Sequence, residues 1–185
     1  MLQDVLIDVA REIVIALLMV LGLSSPFAVP APATPATGGE PSSFATSTLY
    51  AVTKVVDGDT IHIDMNGKSE TVRLIGINTP ETVDPRRPVE CFGKEASNKA
   101  KELLEEKKIR IETEQSQGER DKYGRLLGYV FREDGLFFNK YMIEEGYAYE
   151  YTYRIPYQYQ VEFKTAQKEA EANGRGLWAT GVCEK

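Results

Sequence analysis

Apolar residues first appear as one block: residues 13–23 read Ile-Val-Ile-Ala-Leu-Leu-Met-Val-Leu-Gly-Leu without a polar interruption. The block is shorter than the roughly 20 residues a membrane span needs, and it suits the apolar core of a signal peptide. Small residues for cleavage follow between Ser24 and Ala31, whereas Asp4, Asp8, Arg11 and Glu12 precede the block, where a secretory signal starts with positive charge. Leu2, Leu6 and Val9 lie at helical spacing and lengthen the segment toward an uncleaved anchor. Residues 1–24 are therefore expected to be a signal peptide or a membrane anchor, with a buried helix of a cytosolic protein as the alternative. Residues 25–48 are rich in Pro, Ala, Thr and Ser and hold nothing that builds a core; they read as a flexible linker.

From residue 49 onward the pattern becomes that of a folded domain. Residues 50–56 alternate weakly and are rich in strand formers, and 60–65 follow as a second strand. Asn66-Gly67 is a strong two-residue hairpin signal, and 70–77 reads as the third strand. Residues 94–107 place Ala96, Ala100, Leu103 and Leu104 on one face of a helix. Strands are expected over 108–114 and 125–131, with a polar connection between them. A short helix over 139–145 ends at Gly146, and a longer one over 158–173 is stopped by Gly174. Periodicity alone supports a mixed α and β domain. His62 alternates with Ile61 and Ile63 and is read as an exposed strand residue, and Trp178 as a core plug after the last helix.

The chain has 185 residues, enough for one domain with an extension, and a net charge of −6. That charge argues against a general electrostatic grip on nucleic acid, but not against basic residues converging on one cleft. Two cysteines, Cys91 and Cys183, suggest a disulfide in an exported chain and free thiols in a cytosolic one; their spacing offers no zinc motif.

The candidate chemistry lies between residues 57 and 81, with one arginine far downstream. Asp57-Gly58-Asp59-Thr60 and Arg73 through Glu81 put acids, an amide, a hydroxyl and an arginine at the ends of neighbouring strands. Oxygen donors of this kind suit a hard divalent cation. Arg73 and Arg125 offer the planar, permanently charged donors that a phosphodiester takes. A cation, two arginines and a carboxylate base suffice for phosphodiester hydrolysis.

Asp57-Gly-Asp59-Thr, Arg73-Leu, Asn78-Thr-Pro-Glu81 and Asp121-Lys-Tyr-Gly-Arg125 together resemble the staphylococcal nuclease (thermonuclease) family, over roughly residues 50–178. The resemblance implies an α+β fold, a five-stranded Greek-key barrel of the OB type with three helices, over a nuclease domain at 49–185. It implies a secreted or membrane-anchored extracellular, monomeric nuclease that needs Ca2+. Such an enzyme cuts DNA and RNA with little sequence preference and leaves 3′-phosphates. By resemblance Asp59 is a metal ligand, Asn78 holds the second ligand position, Thr79 contributes its carbonyl, and Asp57 acts through water. Glu81 is the candidate base, Arg73 and Arg125 grip the scissile phosphate, and Lys122 and Tyr123 meet a terminal phosphate. Tyr151 and Tyr153 are the candidate nucleotide contacts in a segment that holds six tyrosines between Tyr147 and Tyr159. Asn78 departs from the family, which usually has an aspartate there; one ligand charge fewer is expected to weaken Ca2+ binding. A catalytically silent nucleic-acid or protein-binding module of the same fold is the second reading.

Overall fold

The computed structural model describes residues 48–183 except Val83 and Arg87. The signal-or-anchor segment and nearly all of the linker lie outside the described residues. Among those described, no helix is long and apolar enough to cross a membrane.

Five strands close a barrel: β1 (Tyr50–Val55), β2 (Thr60–Met65), β3 (Lys68–Leu74), β5 (Lys108–Glu112) and β6 (Leu126–Arg132), in the order β1-β2-β3-β6-β5. Only β3 and β6 run parallel, and β5 returns to pair with β1. Three helices surround it: α1 (Gly93–Leu104), α2 (Phe138–Glu144) and α3 (Gln160–Ala172). This is the expected five-stranded OB-type barrel with three helices.

The β2–β3 hairpin turns where the sequence predicts. Asn66 and Gly67 both take positive φ, 58° and 82°, the backbone that a twisted two-residue hairpin demands. The core comes from alternate strand positions, Ile61, Ile63, Val72, Leu74, Ile109 and Val130, all at most 2% exposed. Ala96, Ala100 and Leu104 of α1 and Phe163 and Ala166 of α3 face the same core. Leu103, expected on that face, is only partly buried against it. Leu177, rather than Trp178, is the buried residue after the last helix, and Trp178 stands edge-on to Tyr149.

The expected third strand is interrupted. Gly76 takes φ 79°, and a Cβ there would meet the Phe163 and Tyr157 rings at 2.8 Å. The chain bends there and begins a new strand, β4 (Ile77–Asn78), which pairs with β7 (Tyr149–Glu150) off the barrel. Asn139, whose role the sequence does not reveal, ties this bend to the barrel from α2. Its Oδ1 accepts from the Val130 amide at 2.9 Å, and its Nδ2 donates to the Ile75 carbonyl at 2.9 Å.

Candidate active site

Three pieces of backbone converge at one end of the β2–β3 pair. The β1–β2 turn carries Asp57, Gly58 and Asp59 and closes with the Val56 amide on the Thr60 carbonyl at 2.9 Å. The Leu74 amide donates to the Asp59 carbonyl at 2.9 Å, and Thr60 is in register with Arg73. Thr79 packs on the turn: a Cβ on Gly58 would lie 2.5 Å from Thr79 Cγ2, so this approach demands glycine.

Asp59 is 6% exposed and fully engaged. Its Oδ1 accepts from the Thr60 hydroxyl at 2.9 Å. Its Oδ2 accepts from the Thr79 amide at 3.0 Å and lies 3.1 Å from Arg73 Nη2. The remaining Arg73 donors bridge the bend, Nη1 to the Leu74 and Ile77 carbonyls at 2.7 and 2.9 Å and Nη2 to Asn78 Oδ1 at 3.2 Å. The guanidinium is thus fixed by β3, the bend and β4 together, with Asn78 itself held by pairing to Tyr149.

Asp57 receives the Asp59 amide on Oδ1 at 3.0 Å. Burial, and next the Asp59 charge beside it, push its carboxyl up to about 7. Arg73 is the positive charge paired with these two carboxylates, and it only partly offsets the repulsion between them. The donors nearby, Asp57, Asp59, Asn78 and the Thr79 carbonyl, are oxygens suited to Ca2+. Among the described residues no three His, Cys, Asp or Glu side chains gather into a metal-holding group.

Arg125 is set by its own loop. Asp121 Oδ1 accepts the Tyr123 and Arg125 amides at 2.9 and 3.0 Å, and Oδ2 accepts Arg125 Nε at 2.7 Å. Burial pushes the Asp121 carboxyl up, but these hydrogen bonds, the Arg125 side chain first, hold it below its ordinary value. Lys122 Nζ and Arg125 Cζ lie 4.9 and 5.4 Å from the centroid of the Tyr123 ring, which is 72% exposed. The Tyr123 side chain beside it raises the Lys122 pKa.

One groove of about 580 Å³ is lined by Arg73, Asn78, Lys122, Tyr123, Arg125, Tyr151 and Tyr153. The structure thereby brings seven of the expected site residues to one surface. Asp57, Asp59, Thr79 and Glu81 do not line it. Asp59 and Thr79 are buried behind Arg73, and Glu81 Oε1 accepts the Thr82 and Asp84 amides at 2.8 and 3.1 Å. The tyrosine segment divides: Tyr157 is buried, Tyr159 is partly buried, and Tyr151 and Tyr153 are 43% and 57% exposed on the groove.

Arg120, Gln117 and Arg154 also line the groove and were not singled out from the sequence. Arg120 Nη1 donates to the Gly124 carbonyl at 2.8 Å and to Glu70 Oε2 at 2.9 Å, tying the Arg125 loop to β3. Its position directly before Asp121 was the available signal. His62 Nδ1 lies 3.2 Å from the Thr71 hydroxyl on the neighbouring strand, outside this site. Cys91 and Cys183 form a disulfide, with Cα atoms 5.8 Å apart.

The family described as Staphylococcal nuclease homologue matches residues 71–180 of this chain. The chain is 43% identical over 129 residues to the thermonuclease of Staphylococcus intermedius, covering 70% of this chain and 75% of that protein. It is 38% identical over 137 residues to the thermonuclease of Staphylococcus hyicus, covering 74% and 79% of the two chains. With endonuclease YncB of Bacillus subtilis it shares 36% identity over 144 residues, 76% of this chain and 67% of that protein.

Proposed function

The chain belongs to the staphylococcal nuclease family and is a nuclease, and from that premise we propose that it is an exported, Ca2+-dependent enzyme that hydrolyses DNA and RNA with little sequence preference. The observation that carries this reading is the shared groove: Arg73 and Arg125 face one space of about 580 Å³, with Asn78 beside them and Asp59 3.1 Å behind Arg73. A phosphodiester in this groove would take N–H donors from Arg125, while Arg73, whose Nη atoms are held by Asp59, Asn78 and two carbonyls, adds a fixed positive charge beside it.

Asp59, Asn78 and the Thr79 carbonyl would hold the cation, with Asp57 acting through water. When bound, Ca2+ supplies Lewis-acid polarisation of the phosphoryl group. Arg125 keeps Nη1 outside its pairing with Asp121, so that nitrogen is available to the phosphate. Arg73 adds a positive charge whose position is fixed before substrate arrives, so no reorganisation is needed as charge develops. Glu81 takes a proton from the attacking water, and the cut leaves a 3′-phosphate. Lys122 and Tyr123 receive a terminal phosphate of the substrate. Tyr151 and Tyr153 offer exposed rings on which any base stacks, which accounts for weak sequence preference.

The experiment is digestion of plasmid DNA and of RNA with Ca2+ and with excess chelator, followed by end-group analysis. Cleavage with Ca2+ alone, leaving 3′-phosphates, is the expected result. Binding of both nucleic acids without cleavage at any Ca2+ concentration would leave the silent binding module in its place.

A further inference from the structure

Glu81 and Glu90 stand at the two ends of a ten-residue loop and clasp each other through main chain and side chain. The Glu81 amide donates to Glu90 Oε2 at 3.0 Å, and the Glu90 amide donates back to the Glu81 carbonyl at 2.9 Å. The far end of the clasp is fixed to the fold twice. The Glu90 carbonyl accepts the amide of Gly93, the first residue of α1, at 3.1 Å. Cys91, the next residue, is bonded to Cys183 across a sequence separation of 92. Helix α1 also presses directly on the other end: a Cβ on Gly93 would lie 3.1 and 3.2 Å from the Pro80 and Glu81 carbonyls.

We propose that Glu90 is a positioning residue for Glu81, holding its backbone against the start of α1 so that the carboxylate meets the attacking water. The inference rests on the reading of Glu81 as the base. Glu90 is exposed and does not line the groove, so it has no route to the substrate phosphate from where it stands. Its side chain accepts one amide, and that amide belongs to the residue whose placement matters. An error of about 1 Å in the placement of a catalytic group costs up to about 10²-fold in rate. Two hydrogen bonds in an exposed loop set such a placement while adding little to global stability.

The test uses the full chain and steady-state kinetics on single-stranded DNA with saturating Ca2+, for Glu90→Ala, Glu90→Asp, Glu90→Gln and Glu81→Gln. Glu90→Ala is expected to lower kcat about tenfold, with KM within about twofold. Glu90→Asp keeps the charge but withdraws the acceptor by one methylene, and lowers kcat in the same direction. Glu90→Gln keeps an acceptor oxygen and restores most of kcat, which separates positioning from charge. The Glu81→Gln/Glu90→Ala pair should be no slower than Glu81→Gln alone, because the two residues act as a unit. If Glu81→Gln is slow while Glu90→Ala and Glu90→Asp run at the wild-type kcat, Glu90 does not position the base and the inference falls alone. If Glu81→Gln itself runs at the wild-type kcat, the base assignment falls and takes this inference with it. Equal losses in Glu90→Ala and Glu90→Gln would assign the effect to charge and overturn the positioning role.

Discussion

Arg73 Nη2 and Asp59 Oδ2 meet at 3.1 Å across the ends of β3 and β2, with side chains only 14% and 8% exposed. Arg125 meets Asp121 at 2.7 Å, but with 30% of its side chain exposed. The two arginines thus share a groove and differ in what depends on them. Arg73→Ala should lower kcat by about 10²-fold or more. It should also cost about 1–3 kcal/mol of stability, because Asp59 is left buried without its partner. Arg125→Ala should lower kcat by a similar factor of about 10², at a stability cost below about 1 kcal/mol. Lysine at either position should rescue only in part, since it lacks the fork of donors. Kinetics and urea melts of the four variants check this, and an alanine variant with normal kcat would remove that arginine from the site.

Glu70 sets part of the acid limit of stability. Its carboxylate takes Arg120 on Oε2 at 2.9 Å and Lys68 on Oε1 at 2.5 Å. These contacts, Arg120 first, draw its pKa down from 4.5 to about 2. A group depressed in the folded state stabilises it fully above its unfolded pKa and stops doing so as pH falls through the folded one. The contribution is therefore present above pH 4.5 and is lost between about 4.5 and 2. Glu70→Gln should melt below the wild type at pH 6, with the gap closing as pH approaches 2. A gap that stays constant across that range would show that the ion pairs do not form in solution.

The Cys91–Cys183 bond joins the segment just before α1 to the C-terminal tail across a sequence separation of 92. On the chain-entropy account such a closure is worth about 4 kcal/mol or less. Cys91→Ser/Cys183→Ser should accordingly lower the denaturant midpoint and steepen the slope, because the denatured chain without the cross-link exposes more surface. An unchanged midpoint would mean that the tail adds nothing to the folded state.

Much of this architecture was legible because it is local. Alternation in β2 and the positive-φ pair Asn66-Gly67 determine a hairpin from adjacent residues, and the spacing of Ala96, Ala100 and Leu104 determines a helix face. The break at Gly76 was not legible: residues 70–77 read as one strand, and what stops it is the approach of Phe163 and Tyr157, more than eighty residues away. The same holds for the division of the tyrosines, since Tyr157 is buried by packing at the Gly76 bend while Tyr153, four residues earlier, stays exposed. Within the site, the motif residues were visible, but their supports were not. Asn139 acts on the Ile75 carbonyl 64 residues away, Arg120 on the Gly124 carbonyl and the Glu70 carboxylate, and Glu90 on the Glu81 amide, and neither composition nor spacing records such contacts.

Asn78 stands where the resemblance leads one to expect an aspartate, and its geometry gives that expectation a measurable form. Its Oδ1 accepts from Arg73 Nη2 at 3.2 Å, beside the corner where burial and Asp59 push Asp57 up to about 7. An amide oxygen ligates Ca2+ without adding charge, so the cost should fall on metal affinity. Asn78→Asp should then reach half-maximal DNA hydrolysis at roughly tenfold less Ca2+, since sites of this kind tune affinity through ligand charge. At saturating Ca2+ most of the rate difference should vanish, because the charge acts on binding more than on chemistry. In chelator the variant should melt lower than the wild type, since another acid joins Asp57 and Asp59 with no cation to balance them. A Ca2+ titration of hydrolysis for both proteins, with a chelator-treated melting curve beside it, measures all three. An unchanged Ca2+ midpoint would show that Asn78 is not a ligand and serves Arg73 alone. A wild type inactive at every Ca2+ level, with activity appearing only in Asn78→Asp, would identify this single amide as what silences the site.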